Sequence, residues 1–245
     1  MTEPAQWAVP PAHLTLADDA LHVWRASLPL APQRLQALRQ TLSPDEIERA
    51  ERFRFPVHRE HFIAARGQLR AIVSRYLGIE PAQIPFRYSD HRKPSLAVDT
   101  NIQFNLSHSR DLVLYAFTRN RELGVDIEWI NAEFASDDVA RHYFSPNEYA
   151  QLNALPEAIR HEVFFTIWTR KEAYIKAHGA GLSLPLHDFD VTVQPGEAPQ
   201  LLASRIDPQE VQRWSMAELH PHPEYKATVM AERQDWQLHC WSFTP

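Results

Sequence analysis

Ser43-Pro44-Asp45-Glu46 and, about a hundred residues later, Ser145-Pro146-Asn147-Glu148 are one helix start written twice. Serine is a favoured N-cap, and proline fits the first helical position because its missing N–H would have no partner there. Acids suit the positive end of a helix. A longer helical pattern lies some fifteen residues beyond each start. The first spans about Arg59 to Leu77, with Phe62, Ala65, Leu69, Ile72, Val73 and Tyr76 at helical spacing, and stops at Gly78. The second spans about Ala158 to His178, carries Val163, Ile167, Trp168, Tyr174 and Ile175, and stops at Gly179. Segments rich in aromatic and β-branched residues read as strands: Ala20 to Leu28, Leu112 to Thr118, Leu123 to Ile130, Phe189 to Val193, Lys226 to Ala231 and Gln237 to Phe243. The economical reading is an α+β chain made by internal duplication, a pseudo-dimer of two similar α+β halves. These are residues 1–120 and 121–245, meeting near Arg119 to Glu122 with a ligand cleft at the junction. Chance recurrence of a common cap is the alternative.

The chain has 245 residues, 44% hydrophobic and 23% charged, which suits a packed soluble core. Only 6 residues are glycine against 19 proline, and that shortage excludes the glycine-rich loops that bring backbone amides to phosphates. Gly179-Ala180-Gly181 comes nearest, with Leu184 where a third glycine would stand. Phosphate chemistry in this chain therefore falls to side chains or metal. The single cysteine, Cys240, forms no internal disulfide and no zinc quartet, which favours a reducing compartment. Met1 to Asp19 lacks a basic start and a long apolar run, and no stretch approaches the roughly 20 apolar residues of a membrane span. A cytoplasmic protein that does not bind membranes is expected. Net charge is −6, against a general nucleic-acid binder, yet Arg34 to Lys93 holds 12 Lys/Arg against 7 Asp/Glu. A basic first half facing an acidic second half suits an anionic ligand held between them.

Three constellations carry chemistry. In Gly124-Val125-Asp126-Ile127-Glu128-Trp129, strand alternation sends Val125, Ile127 and Trp129 to a core and Asp126 with Glu128 to the opposite face. Two carboxylates that close raise a pKa or recruit a cation, and hard oxygen ligands suit Mg²⁺; a wet edge strand is the ordinary alternative. Within Trp168 to Lys176, Glu172 and Lys176 share a helix face at i and i+4, normally a surface salt bridge, but here flanked by Phe165 and Trp168. Glu172 would be the third carboxylate of a Mg²⁺ site. In Phe104-Asn105-Leu106-Ser107-His108-Ser109, Ser107 and His108 read as a loop before a strand, able to donate to an anion or simply to satisfy the loop.

GVDIE at 124–128, WTRKEAYIKAHGAGL at 168–182, FNLSHS at 104–109 and RKP at 92–94 together resemble the 4'-phosphopantetheinyl transferases of the Sfp type, over about Ser43 to Leu182. The resemblance implies a pseudo-dimer fold with coenzyme A at the junction of the halves. It implies that Asp126, Glu128 and Glu172 ligate Mg²⁺ and that Lys176 contacts the coenzyme A pyrophosphate. His108 and Lys93 would contact the nucleotide phosphates with Ser107 beside them, and Arg66 would bind the 3'-phosphate. The implied reaction moves phosphopantetheine from coenzyme A to a serine of an apo acyl or peptidyl carrier protein, releasing 3',5'-ADP. Glu172 would act as base, directly or through a metal-bound water, and Lys176 would neutralise the leaving phosphate. The resemblance also implies a monomer serving fatty acid, polyketide or nonribosomal peptide synthesis.

Two other functions fit parts of the pattern. A Mg²⁺-dependent nuclease or phosphodiesterase would use the same D-x-E and helical Glu and Lys, but the acidic net charge and the missing basic aromatic stripe weigh against it. A non-catalytic carrier-binding or nucleotide-binding module would bind without turnover.

Overall fold

The computed structural model describes residues 6–89, 93–179 and 184–244. The first half runs β1 (Ala20–Ser27), α1 (Pro32–Arg39), α2 (Pro44–Glu51), α3 (Pro56–Leu77), β2 (Phe86–Tyr88), β3 (Pro94–Leu96), β4 (Ile102–Ser109) and β5 (Leu112–Arg119). The second runs β6 (Leu123–Trp129), α4 (Asp137–Tyr143), α5 (Pro146–Ala154), α6 (Glu157–His178), β7 (Phe189–Val191), β8 (Leu201–Ser204), the short α7 (Glu210–Arg213), β9 (Trp214–Leu219) and β10 (Tyr225–Glu232), followed by β11 (Gln237–Ser242). The two halves share a plan. Their sheets have the orders β1-β5-β4 and β6-β10-β9, all antiparallel, with a small hairpin, β2-β3 or β7-β8, after each long helix. The α+β duplication expected from the repeated cap is thus visible in the topology.

Strand alternation gives each sheet two apolar faces, and three cores follow. Ala64, Leu69, Ile72 and Val73 of α3 pack on Trp24, Tyr115 and Phe117. Phe164, Ile167 and Tyr174 of α6 pack on Phe189, Met216 and Met230. Between the sheets, Leu21, Val23, Leu114 and Ala116 meet Val125, Ile127, Ala227 and Val229. The order is helix, sheet, sheet, helix. The last strand crosses the expected division at residue 120: β11 pairs in parallel with β1, Val23 opposite Cys240, and so belongs to the first sheet. Parallel pairing between chain ends is a non-local contact that no local pattern marks.

The duplicated cap does more than start a helix. Ser145 N donates to Glu148 Oε2 at 2.8 Å, Glu148 N donates to Ser145 Oγ at 3.2 Å, and Ser43 N donates to Glu46 Oε2 at 3.0 Å. Each glutamate is buried and meets a buried cation from the long helix, Arg70 Nε at 2.7 Å from Glu46 and Lys171 Nζ at 2.8 Å from Glu148. The cations also hold the chain that follows their helix: Arg70 donates to Pro81 O and Ile84 O, Lys171 to Leu186 O and Phe189 O. Burial raises the Glu148 carboxyl and lowers the Lys171 ammonium, and each partner opposes the other's shift. Both long helices end on a glycine with positive φ, Gly78 at 66° and Gly179 at 75°.

A buried ion is costly when its partner is removed. Lys171→Met is expected to lower stability by about 3–5 kcal/mol in urea unfolding, and the double variant Lys171→Met/Glu148→Gln to recover a large part of that loss. A single variant as stable as the parent would show that the pair does not hold the second half together.

Candidate active site

The sheets meet along β4 and β6, each of which carries an edge. The outward backbone of β6 would lack partners, and β4 supplies them from its side chains: Asn105 Oδ1 accepts from Val125 N and Ser109 Oγ from Trp129 N, both at 3.0 Å. FNLSHS is therefore strand, not the loop expected from its polar residues. Asn105, Ser107 and Ser109 alternate toward β6, with Phe104, Leu106 and His108 on the other face.

Asp126 is the centre of the site. On β6 it faces α6, buried, and Lys176 Nζ lies 2.6 Å from its Oδ1 while Ser107 Oγ donates to the same oxygen at 2.8 Å. Lys176 Nζ also donates to Ser107 Oγ at 2.7 Å. The other oxygen, Asp126 Oδ2, is buried with no hydrogen-bond partner. Glu128, two residues on, accepts from Ser109 Oγ at 2.8 Å. Burial first and the charge of Asp126 second push the Glu128 carboxyl up to about 7. The Glu172 carboxyl is raised for the same two reasons, with Lys176 opposing. Lys93 reaches over from the first half and donates to Lys176 O at 3.0 Å, capping the last turn of α6, with Glu122 at 3.9 Å. Burial lowers its ammonium pKa.

His108 and Arg66 lie on the other side of β4. With Arg49, His58, His61 and Phe62 they line a cavity of about 270 Å³. The imidazole of His108 is lowered first by the protein around it and second by the charge of Lys176. Arg66 is buried, its Nε 3.4 Å from Glu46 Oε1, its guanidinium beside Phe62, Phe86 and Tyr88, and its Nη1 without a partner. An unsatisfied guanidinium nitrogen against a basic cavity is a place for an anion.

Asp126, Glu128, Glu172, Lys176, Ser107 and Lys93 thus meet where the halves join, while His108 and Arg66 share the adjoining cavity. The three carboxylates share the seam but are not closed into a ligand set: among the described residues no three His, Cys, Asp or Glu side chains form a group that could hold a metal ion. The physical reason is local, because the Lys176 ammonium already neutralises Asp126 at Oδ1. Arg92 of the RKP motif, and Gly181 and Leu182 at the end of the helical motif, lie outside the described residues. Sequence reasoning missed Asn105 and Ser109, and their i, i+2, i+4 spacing with Ser107 is the signal that a strand reading would have used.

A family model described as the 4'-phosphopantetheinyl transferase superfamily matches residues 122–231, and one described as 4'-phosphopantetheinyl transferase, N-terminal, matches residues 24–120. The 4'-phosphopantetheinyl transferase HetI of Nostoc sp. is 38% identical over 240 residues, 97% of this chain and 98% of its own. The 4'-phosphopantetheinyl transferase Sfp of Bacillus subtilis is 28% identical over 209 residues, 85% of this chain and 90% of its own. No helix among the described residues is long and apolar enough to cross a membrane.

Because the folded pKa of Glu128 is raised from 4.5 to about 7, its contribution to stability is complete below pH 4.5 and lost as pH rises through 7. In metal-free buffer, Glu128→Gln is expected to melt about 2–4 °C above the parent at pH 8 and no higher at pH 4.5. An equal difference at both pH values would show that ionisation of Glu128 is not its source.

Proposed function

The chain belongs to the 4'-phosphopantetheinyl transferase superfamily, and from that premise we propose how its residues perform the transfer. It is an enzyme that moves 4'-phosphopantetheine from coenzyme A to a serine of an apo carrier protein and releases 3',5'-ADP. The knot of Lys176, Asp126 and Ser107 is the observation that carries the assignment of roles, because it joins an ammonium, a buried carboxylate and a hydroxyl at the seam of the two halves.

The nucleotide end of coenzyme A enters the basic cavity, where Arg66 and His108 bind phosphate, and Lys93 adds charge from its place beside Lys176. Lys176 leaves Asp126 for the pyrophosphate and neutralises the phosphate that departs. The serine Oγ of the carrier attacks the phosphorus that bears pantetheine, and the bond from that phosphorus to the leaving oxygen of 3',5'-ADP breaks. Glu172 accepts the serine proton, and its raised pKa suits a base working near neutrality. Ser107 and Ser109 hold the orientation of Asp126 and Glu128. Most of the acceleration comes from positioning and charge neutralisation.

The donor chemistry fits a hard divalent cation: Asp126 Oδ2 has no partner, and Glu128 and Glu172 are both destabilised as anions, by burial first and by Asp126 second. Asp126, Glu128 and Glu172 would hold Mg²⁺, which when bound supplies charge neutralisation at the pyrophosphate. The chain works as a monomer, because each sheet already buries its inner apolar face on the other.

Incubation with coenzyme A, Mg²⁺ and several apo carrier proteins is expected to give a phosphopantetheinyl mass gain on at least one of them. No gain on any carrier, with plasmid cleavage or with binding alone, would replace the transferase by a nuclease or a binding module. Glu172→Gln and Asp126→Ala are expected to lower transfer at least ~100-fold with melting curves still cooperative. Near-parental activity in either variant would remove that residue from the machinery.

A further inference from the structure

The carrier must bring its serine to the site, and the surface around the carboxylates is not uniform. At the end of β4 the chain turns through Arg110, which is not glycine yet has φ 46°. That left-handed conformation costs an L-residue about 1–2 kcal/mol, and the two-residue turn Arg110-Asp111 that joins β4 to β5 demands it. From this turn the guanidinium lies over the Trp129 ring, 3.0 Å from its centroid. Among the described residues no carboxylate lies within ion-pair distance of Arg110. Arg110 is exposed, and an arginine stacked on an indole with no carboxylate partner is open to an anion from outside.

Arg110, Glu128, Trp129, Asn131, Phe134 and Phe165 line a cavity of about 290 Å³, which opens beside the reactive carboxylates. Its outer wall extends into an aromatic ledge. Phe134 is 41% exposed and edge-on to Trp168 at 5.2 Å, and Tyr143, 37% exposed, meets the same indole at 5.5 Å. Arg and aromatic residues around a desolvated pocket are the composition of a protein-binding hot spot.

The second exposed apolar patch, Phe53, Phe55 and Val57, is a poorer candidate. Arg52 pairs with Glu48 and Arg59 with Glu51, and although Arg54 lies over Phe55, Phe53 borders the cavity on the His108 side, which puts this patch beside the nucleotide and not beside the carboxylates. Attacking and leaving oxygens of a phosphoryl transfer stand roughly in line, so the nucleophile approaches away from the nucleotide. His108 and Ser109 point to opposite faces of β4, which puts the nucleotide cavity on one side and the Arg110 cavity on the other.

Resting on the transferase reading above, we propose that the apo carrier docks on the lip formed by Arg110, Trp129, Phe134 and Tyr143, placing an acidic group on Arg110 and an apolar side chain in the cavity beside Glu128. The partner surface is an acidic one with an apolar residue close to its serine. Charge on the lip then governs encounter, and the aromatic ledge governs residence.

The test compares carrier kinetics with coenzyme A affinity, using an apo carrier that the parent chain modifies. Arg110→Glu is expected to raise the KM for the carrier at least tenfold and to flatten its salt dependence, with the Kd for coenzyme A within twofold of the parent. Phe134→Ala is expected to raise the carrier KM in the same way. Arg110→Gly removes the charge while relieving the backbone, so it should lose carrier affinity with an unchanged or higher melting temperature, which misfolding cannot mimic. Parallel weakening of coenzyme A binding would assign the cavity to the pantetheine arm and overturn the docking. Unchanged carrier kinetics in Arg110→Glu would overturn it too. A parent chain inert toward every carrier would instead overturn the transferase reading, and the docking with it.

Discussion

The site depends on how closely α6 lies on β6 at Gly124. A Cβ placed there would sit 2.1 Å from the carbonyl oxygen of Ala173 and 2.4 Å from the nitrogen of Ala177, distances that no side-chain carbon tolerates. Ala173 and Ala177 are one helical turn apart and buried, so the strand settles into a shallow groove of α6 backbone. Glu172 and Lys176 each precede one of these alanines. Backbone approach at Gly124 therefore brings the ammonium of Lys176 within 2.6 Å of Asp126 and the Glu172 carboxyl into its field. The rest of the fold keeps that contact in register: the Glu148 and Lys171 pair fixes α6 to the segment after it, and Asn105 and Ser109 fix β6 to the first sheet.

Duplication explains both the shared architecture and the presence of one acidic site instead of two. By topology β1 is the counterpart of β6, and α3 the counterpart of α6. On the face of β1 that looks toward α3 the positions hold His22 and Trp24, not carboxylates. Tyr76 OH closes them off, accepting from Trp24 Nε1 at 2.8 Å and bonding His22 Nδ1 at 3.0 Å, with Arg75 stacked on the Trp24 indole. Burial and the neighbouring His239 lower His22 to about 4, which keeps its imidazole neutral under ordinary conditions. One half has thus become an aromatic core that carries β11, and the other has kept its charges at the seam.

Much of this was legible in the sequence because it rests on local rules. Alternation in GVDIE places Asp126 and Glu128 on one face, i,i+4 spacing joins Glu172 to Lys176, and the repeated Ser-Pro-x-Glu marks the duplication. What was not legible is what depends on distant partners. FNLSHS looks like a loop because its polar residues satisfy the edge of a strand in another sheet, a requirement invisible from within the segment. The parallel place of β11 and the buried pairing of Lys171 are likewise set by residues far along the chain. The resting contact of Lys176 on Asp126, which leaves no three-carboxylate group formed among the described residues, also needed coordinates.

The most direct test of the account is the transfer rate of Gly124→Ala, measured together with its melting curve. The added methyl must move α6 away from β6, and a displacement of about 1 Å at a reacting centre can cost ~100-fold in rate. The account predicts a loss of at least that size in a variant that still unfolds cooperatively. A Gly124→Ala chain that transfers at the parental rate would contradict the claim that backbone contact at this glycine builds the site.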